Sequence, residues 1–111
     1  MQNTITVLIV EPGKSPRAEE IPNTLESLQL IVEGYIQALY PFDDPVALIC
    51  NEEGKLLGLP WNRPLFDENG QMYDIIVGTF IVAGLTEDDF GTLSEELIEK
   101  YRKFFDTPTF I

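Results

Sequence analysis

The sequence predicts an α+β domain: a mainly antiparallel sheet of about five or six strands with two amphipathic helices, in the order β-(β)-α-β-β-β-β-α. Three observations predict it. Short β-branched apolar runs recur, each bounded by Pro, Gly, Asn or Asp. Two windows carry apolar residues at helical spacing behind a capping signature. The 111 residues contain no long linker, repeat or low-complexity stretch, so the chain reads as a single domain over residues 1–111 with one core.

The elements follow in order. Thr4 to Val10 is almost wholly apolar and stops at Pro12-Gly13, the pattern of a central strand. Arg17 to Ile21, bracketed by Pro16 and Pro22, reads as a short edge strand. Asn23 is placed to cap a helix, with Glu26 in the reciprocal capping-box position. Leu25, Leu28, Ile31 and Val32 form the helix stripe, and Gly34 is its stop signal. Tyr35 to Tyr40 is a strand ended by Pro41, and Pro41-Phe42-Asp43-Asp44-Pro45 is a rigid acidic turn.

Val46 to Cys50 is the next strand. Asn51-Glu52-Glu53-Gly54 reads as a hairpin turn, with Lys55-Leu56-Leu57 returning. Gly58 to Pro64 holds a glycine and two prolines in seven residues and is expected to be irregular. Asp67-Glu68-Asn69-Gly70 is a second turn. Asp74 to Leu85 is one long strand or two broken near Gly78. Thr92-Leu93-Ser94-Glu95 opens the last helix with another capping box; Leu93, Leu97, Ile98, Tyr101, Phe104 and Phe105 give its apolar face, and Pro108 lies past its end.

Composition removes several chemistries. Nineteen Asp and Glu against seven Lys and Arg give a net charge of −12, which repels a phosphate backbone and argues against direct nucleic-acid binding. With no histidine, His-based acid–base catalysis, Ser-His-Asp triads and ordinary His-containing zinc sites drop out. A single cysteine, Cys50, excludes an internal disulfide, and its apolar surroundings suit a buried thiol in a reducing compartment. No run approaches the roughly 18–20 apolar residues of a membrane span, and the first ten residues lack a signal-peptide pattern. A cytoplasmic location is the expectation.

Three acidic pairs, Asp43-Asp44, Glu52-Glu53 and Asp88-Asp89, have the chemistry for a hard cation, but adjacent turn residues point apart and stay solvated. Asp67-Glu68-Asn69-Gly70 starts like a calcium loop and fails, because its glycine comes fourth rather than sixth. No catalytic motif, metal set or cofactor fingerprint is present, and the expectation is a protein that is not an enzyme.

Two features are candidates for binding. The stiffened loop around Pro60 and Pro64 offers Trp61 as a stacking face, Asn62 as an amide and Arg63 as a guanidinium, with Lys55 nearby in sequence. Those groups suit a small anionic ligand; alternatively Arg63 pairs with Asp67 or Glu68 and pins the turn. The second feature is acidic. Glu87, Asp88, Asp89, Glu95, Glu96 and Glu99 gather around the start of the last helix. They favour that helix end electrostatically and keep the chain soluble, and they could also imitate phosphates to a basic partner. Phe110-Ile111 is an apolar tag suited to packing or to a homodimer contact.

Three runs carry a resemblance: Leu28-Gln29-x-Ile31-Val32-x-Gly34-Tyr35-Ile36, Asn51-Glu52-Glu53-Gly54-Lys55-Leu56-x-Gly58-Leu59-Pro60-x-Asn62-Arg63, and Asp74-Ile75-Ile76-x-Gly78-Thr79-x-x-Val82-x-Gly84. Over roughly residues 3–105 the chain resembles an uncharacterised domain-of-unknown-function family of tailed phages and conjugative elements of gut Firmicutes. The resemblance implies an accessory protein of a mobile element, linked to host takeover or evasion of defence. It transfers no catalytic residue. Two expectations follow: an acidic face that blocks a host or defence protein, or a loop of Lys55, Asn62 and Arg63 that sequesters a small anion such as a signalling nucleotide. The net charge favours the first.

Overall fold

The structure, a computed structural model, describes residues 3–106. Among the described residues there are eight strands and two helices: β1 (Thr4–Val10), β2 (Arg17–Pro22), α1 (Leu25–Val32), β3 (Ile36–Leu39), β4 (Val46–Asn51), β5 (Trp61–Phe66), β6 (Met72–Val77), β7 (Phe80–Leu85), β8 (Phe90–Gly91) and α2 (Glu95–Phe104). The class is α+β, and every strand pairing is antiparallel. The main sheet runs β2-β1-β7-β4-β3, with β8 on the far half of β7, while β5 and β6 form a separate ribbon.

Alternation along the strands builds two cores. On β1, Leu8 and Val10 face one side, where they meet Leu48, Phe80 and Val82 under a cover of Leu65 and Ile76 from the ribbon and Leu93, Tyr101 and Phe105 from the α2 region. Ile5, Val7 and Ile9 face the other side, where Ile49 and Ile81 lie under Leu28 and Val32 of α1. The two helices therefore cover opposite faces of one sheet, and β4 and β7 are buried on both. Each fully buried Leu, Ile or Phe contributes about 1.5–3 kcal/mol.

Several elements differ in detail from their sequence signals. The α1 cap is Thr24, not Asn23: its Oγ1 accepts from the Ser27 amide at 3.1 Å. The helix also stops one residue early, with Glu33 rather than Gly34 in the left-handed conformation (φ 64°). Gly34 is needed for a different reason. A Cβ there would lie 2.6 Å from Nδ2 of Asn51, which donates to the Val32 and Glu33 carbonyls and closes the helix end. At α2 the cap is Ser94, whose Oγ accepts from the Leu97 amide. Thr92 lies before the helix, its Oγ1 taking a bond from the Thr6 amide, and the Leu93 amide donates to the Thr6 carbonyl.

The expected returning strand at Lys55-Leu56-Leu57 does not form. Residues 52–58 wind through successive turns instead, with Leu57 N–H donating to Glu53 and Gly58 N–H to Lys55. Of the stretch Gly58 to Pro64, expected to be irregular, residues 58–60 lie outside any strand, but Trp61 to Pro64 belong to β5. A strand in a two-stranded ribbon has a ladder on one edge only, so the proline nitrogen is tolerated opposite Ile75. Register shifts at Trp61/Arg63 and Leu65/Phe66 absorb the rest. Between β6 and β7 the chain breaks at Gly78, in the left-handed region (φ 74°). Phe110-Ile111, expected to pack or to join a dimer, lies outside the described residues.

Candidate functional site

The loop expected to present Asn62 and Arg63 to a ligand turns both inward. Asn62 is fully buried, and its Nδ2 donates to the carbonyls of Val10 at 2.9 Å and Gly78 at 2.8 Å. Arg63 is only 2% exposed. Its Nη1 donates to Asn62 Oδ1, Nη2 to the carbonyls of Lys14 and Phe105, and Nε to Phe105 again. Burial pulls the guanidinium below its ordinary pKa, with Asp106 pulling the other way. Neither Asp67 nor Glu68 is its partner, as the alternative reading held. Arg63 is a structural brace between β5, the β1–β2 turn and the end of α2, and with Asn62 it is withdrawn from the candidate ligand set.

Lys55 and Trp61 stay at the surface. Lys55 pairs with Asp74 of β6. Burial pushes the Asp74 carboxyl up, but Lys55 and the Ile75 amide outweigh it and leave the group below its ordinary range. Trp61 borders a shallow cavity of about 320 Å³ with Met72, Tyr73 and Ile75, and Lys55 sits at its margin. An anion there would meet one lysine already held by a carboxylate.

The acids around α2 divide by element. Glu87, Asp88 and Asp89 occupy the β7–β8 turn, where Asp89 Oδ1 accepts from the Phe90 amide at 2.7 Å. Glu95 and Glu96 stand in the first helical turn, favourable for the helix dipole. Glu99 pairs with Arg102, which holds its carboxyl below the ordinary range. Four of the six, Asp89, Glu95, Glu96 and Glu99, thus have a local structural task.

One groove of the described residues was not indicated by the sequence. It holds about 750 Å³ and has three walls. The β3–β4 turn supplies Phe42, Asp43 and Asp44; the tip of the β5–β6 ribbon supplies Phe66, Asp67 and Glu68, with Tyr73 behind; α2 supplies Lys100, Tyr101 and Phe104. Three of its rings are large and half exposed: Phe66 (53%), Tyr73 (56%) and Phe104 (55%). Phe42 stacks at a tilt on Tyr101, with ring centres 4.8 Å apart, and meets Phe104 edge-on at 5.4 Å.

Its electrostatics are one-sided. Asp44 Oδ2 accepts from Lys100 Nζ at 2.5 Å and from the Tyr101 hydroxyl at 2.6 Å, and these two bonds keep the Asp44 carboxyl below its ordinary range. Burial, then the Asp44 bond, pushes the Tyr101 phenol well above its usual value. Asp67 Oδ1 closes its own turn by accepting from the Asn69 and Gln71 amides. Asp43 and Glu68 have no ion pair among the described residues. Each wall came from a segment with a visible signal, either an acidic turn or an aromatic helix face. Their meeting could not be read, because they lie some tens of residues apart.

Residues 5–106 match the family described as Domain of unknown function (DUF3846). The chain belongs to the DUF3846 family. No curated protein and no solved structure is similar enough to the chain to count as a match.

In this DUF3846 domain, the described residues contain no group of three or more His, Cys, Asp or Glu placed to hold a metal ion. No helix among them is long and apolar enough to cross a membrane. What the groove offers chemically is carboxylate acceptors beside exposed ring faces. That combination recognises cations, by charge-assisted hydrogen bonds and by cation–π contact.

Proposed function

We propose that this DUF3846 domain works by binding rather than by catalysis, and that it holds a positively charged segment of another protein in the groove between the β3–β4 turn, the ribbon tip and α2. The single observation that carries this reading is the groove itself: four carboxylates and three half-exposed rings around a space of about 750 Å³, with one lysine inside it. A space of that size suits several side chains of a peptide. The net charge of −12 steers a basic partner toward it and speeds encounter at low salt.

We read the protein as an accessory factor of a phage or mobile element, and the partner as a host or defence protein whose basic surface it occupies. The sequence resemblance supports that setting. The acids at the start of α2 extend the negative field that a nucleic-acid-binding partner would meet.

A fluorescein-labelled basic peptide, titrated with the intact protein and followed by anisotropy, tests the reading. Binding is expected to weaken steeply as salt rises. Asp43→Lys with Glu68→Lys is expected to weaken it at least about tenfold, while Glu95→Lys with Glu96→Lys leaves most of it. Absence of binding at low salt, or equal loss in both double variants, overturns the groove as the site.

A further inference from the structure

The groove already contains one bound cation, and it belongs to the protein. Lys100 Nζ lies 2.5 Å from Asp44 Oδ2 and 5.4 Å from the centre of the Tyr101 ring, so it meets a carboxylate and an aromatic face at once. These are the two contacts the groove offers to any cation. The pair is held loosely, since the lysine side chain is 57% exposed on a flexible stem. An exposed pair of this kind contributes little to stability.

We propose that Lys100 is a stand-in for an arginine of the partner, which displaces it from Asp44; this rests on the groove being the binding site. Two features select arginine over lysine, and a third keeps its carboxylate in place. Both bonds to Asp44 fall on the same oxygen, Oδ2, whereas a guanidinium fork reaches both oxygens of a carboxylate. Phe66 and Phe104 border the same space half exposed, and a planar delocalised cation stacks on ring faces better than a hydrated ammonium. Tyr101 is buried and keeps its hydroxyl on Asp44, so the carboxylate stays oriented after Lys100 leaves.

The test uses the intact protein and three labelled peptides of one length, carrying arginine, lysine or citrulline at the same positions. The arginine peptide is expected to bind about tenfold more tightly than the lysine peptide, and the neutral citrulline peptide not measurably. Lys100→Met removes the competitor and is expected to tighten the arginine peptide about threefold beyond Lys103→Met, which removes the same charge outside the groove. Phe104→Ala is expected to weaken the arginine peptide more than the lysine peptide. If arginine and lysine peptides bind alike, or Lys100→Met behaves as Lys103→Met does, this proposal falls and the basic-segment reading stands. If no peptide binds, both fall.

Discussion

Arg63 grips the carbonyl oxygen of Phe105 with two donors, Nε at 3.0 Å and Nη2 at 2.8 Å, across 42 residues of sequence. The same guanidinium holds the Lys14 carbonyl and Asn62 Oδ1, so one side chain ties a ribbon strand, a turn and a helix end. Arg63→Ala removes all four bonds and leaves the Phe105 carbonyl and Asn62 Oδ1 buried without them. A loss of about 3–5 kcal/mol is expected, a large part of a small domain's stability. Arg63→Lys keeps the charge without the fork and is expected to recover only part of it. Urea unfolding followed by circular dichroism measures both; an unchanged midpoint in Arg63→Ala would remove the brace.

The Asp44–Tyr101 contact has a pH signature. Tyr101 holds its proton more tightly in the fold than in the unfolded chain, so its contribution is complete below the ordinary phenol value near 10 and is lost as pH rises beyond it. Asp44 runs the other way: its contribution is present above the ordinary carboxylate value near 4 and is lost as pH falls. In an absorbance titration at 295 nm, Tyr101→Phe is expected to match the parent protein through pH 10. The two should diverge only where the parent unfolds in alkali. A difference between them below pH 10 would contradict the shift.

Gly34 and Asn51 are coupled. A methyl group on residue 34 would press on Asn51 Nδ2, which holds the last carbonyls of α1, while Asn51 Oδ1 accepts from the Glu53 amide at 2.8 Å. Gly34→Ala and Asn51→Ala are each expected to cost about 1–3 kcal/mol. Together they are expected to cost at least about 0.5 kcal/mol less than the sum, since removing Asn51 clears the space. Thermal or urea melts of the four proteins close the cycle, and strict additivity would deny the contact.

Cys50 is 6% exposed, and burial, aided by Asp74, pushes its thiol pKa up. The thiolate is the reactive form, so the native protein should react with Ellman's reagent far more slowly than the urea-unfolded chain. Reaction at the unfolded rate would place the thiol at the surface.

The helices and the central strands were legible because their signals are local. A stripe such as Leu28, Ile31 and Val32, or a run such as Val46 to Cys50, carries its periodicity within one segment. The ribbon was not legible. Pro60 and Pro64 spoke against a strand, and only pairing with β6 made one. Residues 55–57 went the other way: good helix formers beside Gly54 favour the turn, where the Leu57 amide donates to Glu53 rather than across a hairpin. The role of Arg63 turned on partners at Lys14 and Phe105, and nothing in its own neighbourhood named them. The groove was split across three segments. Sequence exposed its chemistry, acids and aromatics, but not the proximity that turns those residues into a binding surface.

The strand order β2-β1-β7-β4-β3 has a consequence for the birth of the protein. β1–β2 and β3–β4 are local hairpins that can form as soon as each is synthesised. Only β7 joins them, pairing Leu8 with Val82 on one side and Leu48 with Val82 on the other. At roughly 5–20 residues per second, the first hairpin waits on the order of ten seconds for that strand to leave the ribosome. Throughout that wait Leu8, Val10, Val46 and Leu48 lack their in-sheet neighbours Phe80 and Val82. The nascent chain is therefore most open to chaperones, and to aggregation, until its seventh strand arrives.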